Sequence, residues 1–212
     1  MRVKICGIRR LEDARTALQA GAWALGFIFH RPSRRFIEPR DAGLLVRELP
    51  RESFTVGVFV DAPIEEVNAA VREANLQAVQ LHGSEDAAYA ARVVGAQVIK
   101  AFRVGPGFDP RATEAFGRGP ILLDSYHPSA AGGTGTTFDW KVARDIARSR
   151  DMILAGGLNP ENVARAVEEV RPWAIDVSSG VEVEPGVKSP ERIASLFEQI
   201  RAAERSPRAR GG

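Results

Sequence analysis

The chain has 212 residues, 44% of them hydrophobic and 26% charged, with 20 Gly, 13 Pro and one Cys, a balance that excludes disorder and collagen-like repeats and fits one large domain or two small ones. No apolar run approaches the roughly 18 residues of a membrane helix, no secretory signal layout is visible, and one thiol cannot form an internal disulfide, so the expectation is a cytoplasmic protein with no membrane partner. The pI near 9.0 hints at nucleic acid, but Arg201, Arg205, Arg208 and Arg210 lie after position 200 against Glu204 alone, leaving 25 cations and 26 acids before them and no electrostatic footprint for DNA or RNA.

Taken in chain order, short apolar or β-branched runs recur, each followed by a turn and then by apolar residues at helical spacing. Strands are expected at 3–6, 24–29, 54–60, 78–81, 97–102, 121–124, 152–155 and 174–177. The helices that follow them are expected at 11–20, 39–49, 64–73, 85–94, 110–116, 140–148, 159–170 and 190–203. Eight strand-helix units at about 26 residues each leave no segment for a second domain. Regular alternation with continuous apolar strands means a parallel sheet covered by helices. The eightfold count favours closure into a single-domain (β/α)8 TIM barrel over residues 1–204, followed by a short basic flexible tail at 205–212. The alternative is an open doubly wound sheet; the absence of a G-x-G-x-x-G after the first strand counts against it.

In a barrel, function sits at the C-terminal ends of the strands. Two neighbouring loops there are rich in Gly and Ser: Gly156 and Gly157 after the seventh strand, Ser178, Ser179 and Gly180 after the eighth. Glycine lets the backbone come close to an anion and successive N–H groups donate to it, so the pair reads as a phosphate site. The plainer reading of the first loop is a tight turn with Asn159 as helix N-cap.

Cys6 ends the first strand before Gly7, which presents a thiol at the rim; an inert core thiol is the alternative. To act as a base it must become a thiolate beside a cation. Lys4 lies two residues earlier on the same strand face, and because the eighth strand closes beside the first, Asp176 is a candidate partner for an inward Lys4. Asp124 follows three apolar residues at the end of the sixth strand, either as a loop residue or as a carboxylate facing the mouth. Round the ring, Cys6 and Asp124 flank the phosphate loops, a layout suited to proton removal at one atom of a sugar phosphate and delivery at another. In the loop after the second strand, Arg31, Arg34 and Arg35 are either a solvated basic turn or a carboxylate fork, with Arg35 the first choice for a ligand contact. Gln80 and His82 bracket the end of the fourth strand as accessory candidates, and His82 could equally serve only its own loop. The three His residues lie in different loops without metal-ligand spacing, so no metal is expected.

Seven ordered motifs then carry a resemblance: VKICGI at 3–8; GFIF at 26–29 with SRR at 33–35; VGVFV at 56–60; VQLHG at 79–83; LLD at 122–124 with GGTG at 132–135; AGGL at 155–158; and DVSSGVE at 176–182. Together they resemble the phosphoribosylanthranilate isomerase family of tryptophan biosynthesis, over residues 3 to about 200. The resemblance implies a cofactor-free Amadori rearrangement of N-(5-phosphoribosyl)anthranilate to 1-(2-carboxyphenylamino)-1-deoxyribulose 5-phosphate. It implies that Asp124 protonates the furanose ring oxygen, that Cys6 removes the C2 proton and that Arg35 holds the anthranilate carboxylate. Backbone groups around Gly156, Gly157, Ser178, Ser179 and Gly180 would hold the phosphate. Arg9 departs from the family pattern, where Thr usually follows Cys-Gly-Ile, and the loop at 125–131 has no residue-by-residue match. Rival barrels such as indole-glycerol-phosphate synthase or an aldolase lean on a catalytic Lys, and none of the four Lys residues ends strand two, three or six. A histidine-pathway isomerase would be expected to carry a carboxylate at Cys6, and a catalytically silent sugar-phosphate barrel would need neither Cys6 nor Asp124. Monomer and homodimer both remain compatible with the sequence.

Overall fold

The computed structural model describes residues 1–105, 107–124 and 140–205. The Gly-rich loop at 132–135, the stretch 125–131 and the tail from 206 onward lie outside the described residues. Eight parallel strands close in sequence order into one barrel: β1 (Arg2–Cys6), β2 (Ala24–Ile28), β3 (Phe54–Phe59), β4 (Ala78–Leu81), β5 (Gln97–Arg103), β6 (Ile121–Asp124), β7 (Met152–Ala155) and β8 (Ala174–Val177), with β8 hydrogen-bonded back to β1. This is a (β/α)8 TIM barrel, the architecture that the strand-helix alternation predicts.

The strands are buried on both faces, which is why they read as unbroken apolar runs rather than as an alternation. Inward positions such as Ala24, Val56, Ala78, Ile99, Leu122, Ile153 and Ala174 form a small inner core. The outward ones pack in a second, larger core beneath the helices α1 (Leu11–Ala20), α2 (Pro39–Arg47), α3 (Ile64–Glu73), α4 (Ala87–Ala90), α5 (Trp140–Ala147), α6 (Val163–Val170) and α7 (Pro190–Arg205). At the N-terminal end, Trp23 stacks on Phe54 at 5.0 Å and meets Trp173 edge-on at 5.1 Å, closing the inner core with aromatic area. Among the described residues no helix is long and apolar enough to cross a membrane.

Three helical segments differ from the expectation for local reasons. The fourth, expected at 85–94, shrinks to α4 because the Glu85 side chain is drawn inward. Its carboxylate accepts Lys100 Nζ at 2.8 Å and the N–H groups of Asp61 and Gly83 at 2.8 and 2.9 Å, while Asp86 caps α4 through Tyr89 N–H at 2.7 Å. Residues Pro110–Phe116 form a 3-10 helix rather than an α-helix: Thr113 Oγ1 donates back to the Pro110 carbonyl at 2.8 Å, a side-chain bond that competes with the α-helical ladder. The sixth helix begins at Val163, not at 159, because Asn159 Oδ1 accepts the N–H groups of Glu161 and Asn162, each at 3.0 Å, and keeps those residues in a turn. After β8 comes a short 3-10 turn (Ser179–Val181) and a small hairpin of β9 (Glu182–Glu184) and β10 (Val187–Lys188) that lies beyond the eight expected units.

Candidate active site

The C-terminal mouth of the barrel gathers side chains from strand ends far apart in sequence. Lys4 is fully buried and points inward. Its ammonium donates to Asp176 Oδ2 at 2.8 Å and to Gln80 Oε1 at 2.9 Å, with Cys6 beside it. Lys4 and Asp176 are direct register partners across the β1–β8 seam, so barrel closure itself makes the pair. Burial opposes the Lys4 charge, but the neighbouring Asp176 and Cys6 outweigh it and hold the ammonium above its usual range. The other Asp176 oxygen, Oδ1, is buried without a protein hydrogen bond, an open acceptor beside the cavity.

Cys6 stands two residues beyond Lys4 on the same inward face and is buried. Burial pushes its thiol up; the Lys4 ammonium opposes that shift without overturning it, and Asp176 adds to the rise. The thiol fits because its neighbour on β2 is glycine: a Cβ on Gly26 would stand 2.7 Å from Cys6 Sγ and 3.0 Å from Lys4 Cε. Gly7 then turns the chain at φ +78, a conformation that favours glycine, and a Cβ there would meet Arg35 Cδ at 2.7 Å.

Opposite, Asp124 ends β6, and its Oδ2 lies 3.1 Å from His82 Nε2. His82 Nδ1 lies 2.9 Å from Gln80 Nε2. A continuous polar chain therefore crosses the mouth from Asp124 through His82, Gln80 and Lys4 to Asp176 and Cys6. Between its ends, Gly156 (φ +96) and Gly157 (φ +61) turn the loop after β7 with their backbone exposed to the mouth, and Ser178 and Ser179 face them from the loop after β8. Gly180 contributes by absence of bulk: a Cβ there would meet the Leu158 carbonyl at 1.9 Å, so the two loops approach only because it is glycine.

Of the three arginines after β2, Arg35 reaches the mouth, whereas Arg31 pairs with Glu38 on the surface at 2.8 Å and Arg34 is exposed. Arg35 Nε donates to both Glu182 oxygens at 2.9 and 3.0 Å, and its Nη2 donates to Oε2 at 2.6 Å. Glu182 also accepts Lys188 Nζ at 2.7 Å, and that fully buried ammonium donates to the Cys6 carbonyl at 2.6 Å and the Ser178 carbonyl at 3.1 Å. Burial would raise the Glu182 carboxyl, but the hydrogen bonds from Arg35 and Lys188 prevail and hold it low. Burial lowers Lys188 despite Glu182. Glu182 and Lys188 carry no role in the sequence pattern: Glu182 stands inside a motif without an assigned function, Lys188 ends none of the expected barrel strands, and no spacing ties Glu182 to Arg35 147 positions away or Lys188 to Cys6 182 positions away. Arg9 lies outside this network, packed over Gly186 with Nη1 donating to the Arg34 carbonyl at 3.5 Å.

Cys6, Arg35, Gln80, His82, Asp124, Gly156, Gly157, Asp176, Ser178 and Ser179 line one cavity of about 350 Å³, with Lys4 buried alongside and Gly180 outside the lining. A larger cleft of about 860 Å³ between the 3-10 helix and α5 holds none of them, so convergence of polar groups, not size, marks the site. Among the described residues no group of three or more His, Cys, Asp or Glu side chains is arranged to hold a metal ion. Fold and mouth together define a (β/α)8 barrel whose C-terminal mouth sets a carboxyl and a thiol on either side of two loops rich in Gly and Ser.

Comparison with known proteins narrows that class. The family model for N-(5'-phosphoribosyl)anthranilate (PRA) isomerase matches residues 3–199, and the chain belongs to this family. It is 46% identical over 200 residues to the N-(5'-phosphoribosyl)anthranilate isomerase of Citrifermentans bemidjiense, covering 94% of this chain and 97% of that one. Its fold matches the crystal structure of phosphoribosyl anthranilate isomerase from Thermotoga maritima with a TM-score of 0.86 and 42% identity, over 95% of this chain and 99% of that chain. A phosphoribosyl anthranilate isomerase crystallised with reduced 1-(o-carboxyphenylamino)-1-deoxyribulose 5-phosphate matches with a TM-score of 0.83 and 40% identity, over the same shares of the two chains.

Proposed function

We propose that the chain carries out the Amadori rearrangement of N-(5-phosphoribosyl)anthranilate, a step of tryptophan biosynthesis, with Asp124 as general acid and Cys6 as general base. The observation that carries this reading is the placement of these two groups on opposite sides of one 350 Å³ cavity, with the Gly156–Gly157 and Ser178–Ser179 loops between them. The phosphate sits on those loop N–H groups. Asp124 gives its proton to the furanose ring oxygen as the C1–O bond breaks, and the anthranilate nitrogen supplies the electron pair that makes a C=N bond. Once the Cys6 thiol has released its own proton to solvent, the thiolate takes the C2 proton, and the electrons of that C–H bond form C1=C2 and neutralise the nitrogen. Transfer of the enol proton to C1 leaves the ketone at C2.

The first step prepares the second. Burial disfavours the Cys6 thiolate in the resting site, and the cationic C=N group formed on ring opening supplies a positive charge that favours it. Lys4 is positioned to hold the thiolate once it forms. The open Asp176 Oδ1 accepts a sugar hydroxyl, which satisfies an otherwise costly buried acceptor. Arginine has two bidentate edges. Glu182 occupies the Nε/Nη2 edge of Arg35, so the Nη1/Nη2 end is the one that takes the anthranilate carboxylate.

We place the enzyme in the cytoplasm, as one catalytic barrel over 1–204; α7 runs on through Arg205, the first residue of the expected basic tail. The test of the activity is the fall in phosphoribosylanthranilate fluorescence with purified protein; turnover is expected, and its absence would leave a silent sugar-phosphate-binding barrel.

A further inference from the structure

Gln80 and His82 stand between the two reacting ends without touching the thiol, and the order of donors along this chain is dictated by chemistry. Lys4 is a donor with no acceptor capacity, and its ammonium faces Asp176, Cys6 and Gln80. The Gln80 group that meets it at 2.9 Å must therefore be the amide oxygen, because a flipped amide would set NH2 against ammonium. That leaves the Gln80 NH2 facing His82 Nδ1 at 2.9 Å. A nitrogen that accepts from an N–H cannot carry its own proton on that side, so the imidazole proton sits on Nε2, which points at Asp124 Oδ2 at 3.1 Å.

We infer that Gln80 is a positioning residue for the reaction: oriented by Lys4, it holds His82 as the neutral Nε2–H tautomer, and His82 in turn pins one oxygen of the Asp124 carboxyl so that Oδ1 meets the substrate. A neutral donor fixes Asp124 in place without the full positive charge that would favour its carboxylate over the acid needed for proton delivery. The charged and titratable groups facing this unit among the described residues are Asp124 on β6, Arg103 across the register on β5, Lys4 and Cys6 on β1, Asp176 on β8 and Arg35 after β2. Of the positive members, Lys4 and Arg35 are each matched by a carboxylate, Asp176 and Glu182, and Arg103, the register partner of Asp124, forms no ion pair with it.

This inference rests on Asp124 as the general acid, but its first test does not. 15N NMR of histidine-labelled resting protein at about pH 8, where free histidine is neutral, reads the tautomer directly, with the His82 signals assigned by their loss in His82→Asn. Nε2 protonated and Nδ1 bare is expected; a proton on Nδ1 overturns the inference. Gln80→Glu turns the neighbour of Nδ1 into an acceptor, so both ring nitrogens should then be protonated under the same conditions, and an unchanged spectrum counts against the lock. In that variant the alkaline limb of kcat should move to lower pH by about one unit or more with KM little changed, whereas a merely structural role would lower kcat and leave the limb in place. If Gln80→Glu does not fold, the wild-type tautomer still decides. Failure of the underlying mechanism shows separately, as near-normal turnover in Asp124→Asn.

Discussion

Replacing Lys188 by Met tests whether the β9–β10 hairpin holds the active site together. The substitution keeps most of the buried volume and removes one ammonium that makes three hydrogen bonds: to Glu182 at 2.7 Å, the Cys6 carbonyl at 2.6 Å and the Ser178 carbonyl at 3.1 Å. Breaking a buried ion pair from one side costs about 3–5 kcal/mol because the other charge stays buried. Two features pull the value to the low end. Glu182 keeps Arg35, and the Cys6 carbonyl keeps the Ser178 hydroxyl at 3.1 Å. A loss of about 3 kcal/mol is therefore expected, which for a domain of this size lowers Tm by roughly 6–12 °C. In urea the midpoint should fall with little change in slope, since the folded surface is unchanged. Adding Glu182→Gln removes the stranded carboxylate, so the double variant should be less destabilised than the two single variants summed, by about 1 kcal/mol or more. A loss below about 1 kcal/mol for Lys188→Met, or strict additivity in the double variant, would refute the reasoning.

Three further outcomes follow from the same contacts. Arg35→Ala should raise KM for phosphoribosylanthranilate by at least about tenfold while kcat changes less, in line with loss of a charge-assisted contact worth about 1.5–3 kcal/mol; an unchanged KM removes Arg35 from carboxylate binding. Because burial raises the Cys6 thiol and the chain has one Cys, iodoacetamide labelling of the folded enzyme should be slow near pH 7 and still climbing beyond about pH 9.5, above which an ordinary thiol with a pKa of about 8.5 levels off; a plateau near neutrality would contradict the assignment. Glu182 is held below its usual range, so its contribution to stability is present above about pH 4.3 and is lost as pH falls through the lower folded value. The loss of stability between about pH 6 and about pH 3 should therefore be smaller in Glu182→Gln than in the wild type.

The parts of the site legible in the sequence are those that strand alternation and barrel closure determine. Lys4 and Cys6 share a face because they are two apart, and Lys4 meets Asp176 because the last strand must close beside the first. Strand ends were readable for the same reason, since each apolar run stops where the mouth begins. What escaped is made by side chains reaching across loops. The Arg35–Glu182–Lys188 network depends on a hairpin too short to show a period, and the link from Gln80 through His82 to Asp124 depends on rotamers that spacing does not encode. The shortened α4 and the 3-10 helix at Pro110–Phe116 were hidden likewise, because Glu85 and Thr113 spend their polar groups on tertiary and local partners instead of on a helix surface.

The central claim is that Asp124 delivers a proton and Cys6 removes one. The most direct measurement is steady-state turnover of phosphoribosylanthranilate by Asp124→Asn and Cys6→Ser beside the wild type, with binding of inorganic phosphate followed in parallel. Each variant should lose at least about a hundredfold in kcat, the scale of general acid or base catalysis, while phosphate affinity is retained. Near-normal kcat in either variant would contradict the role assigned to that residue.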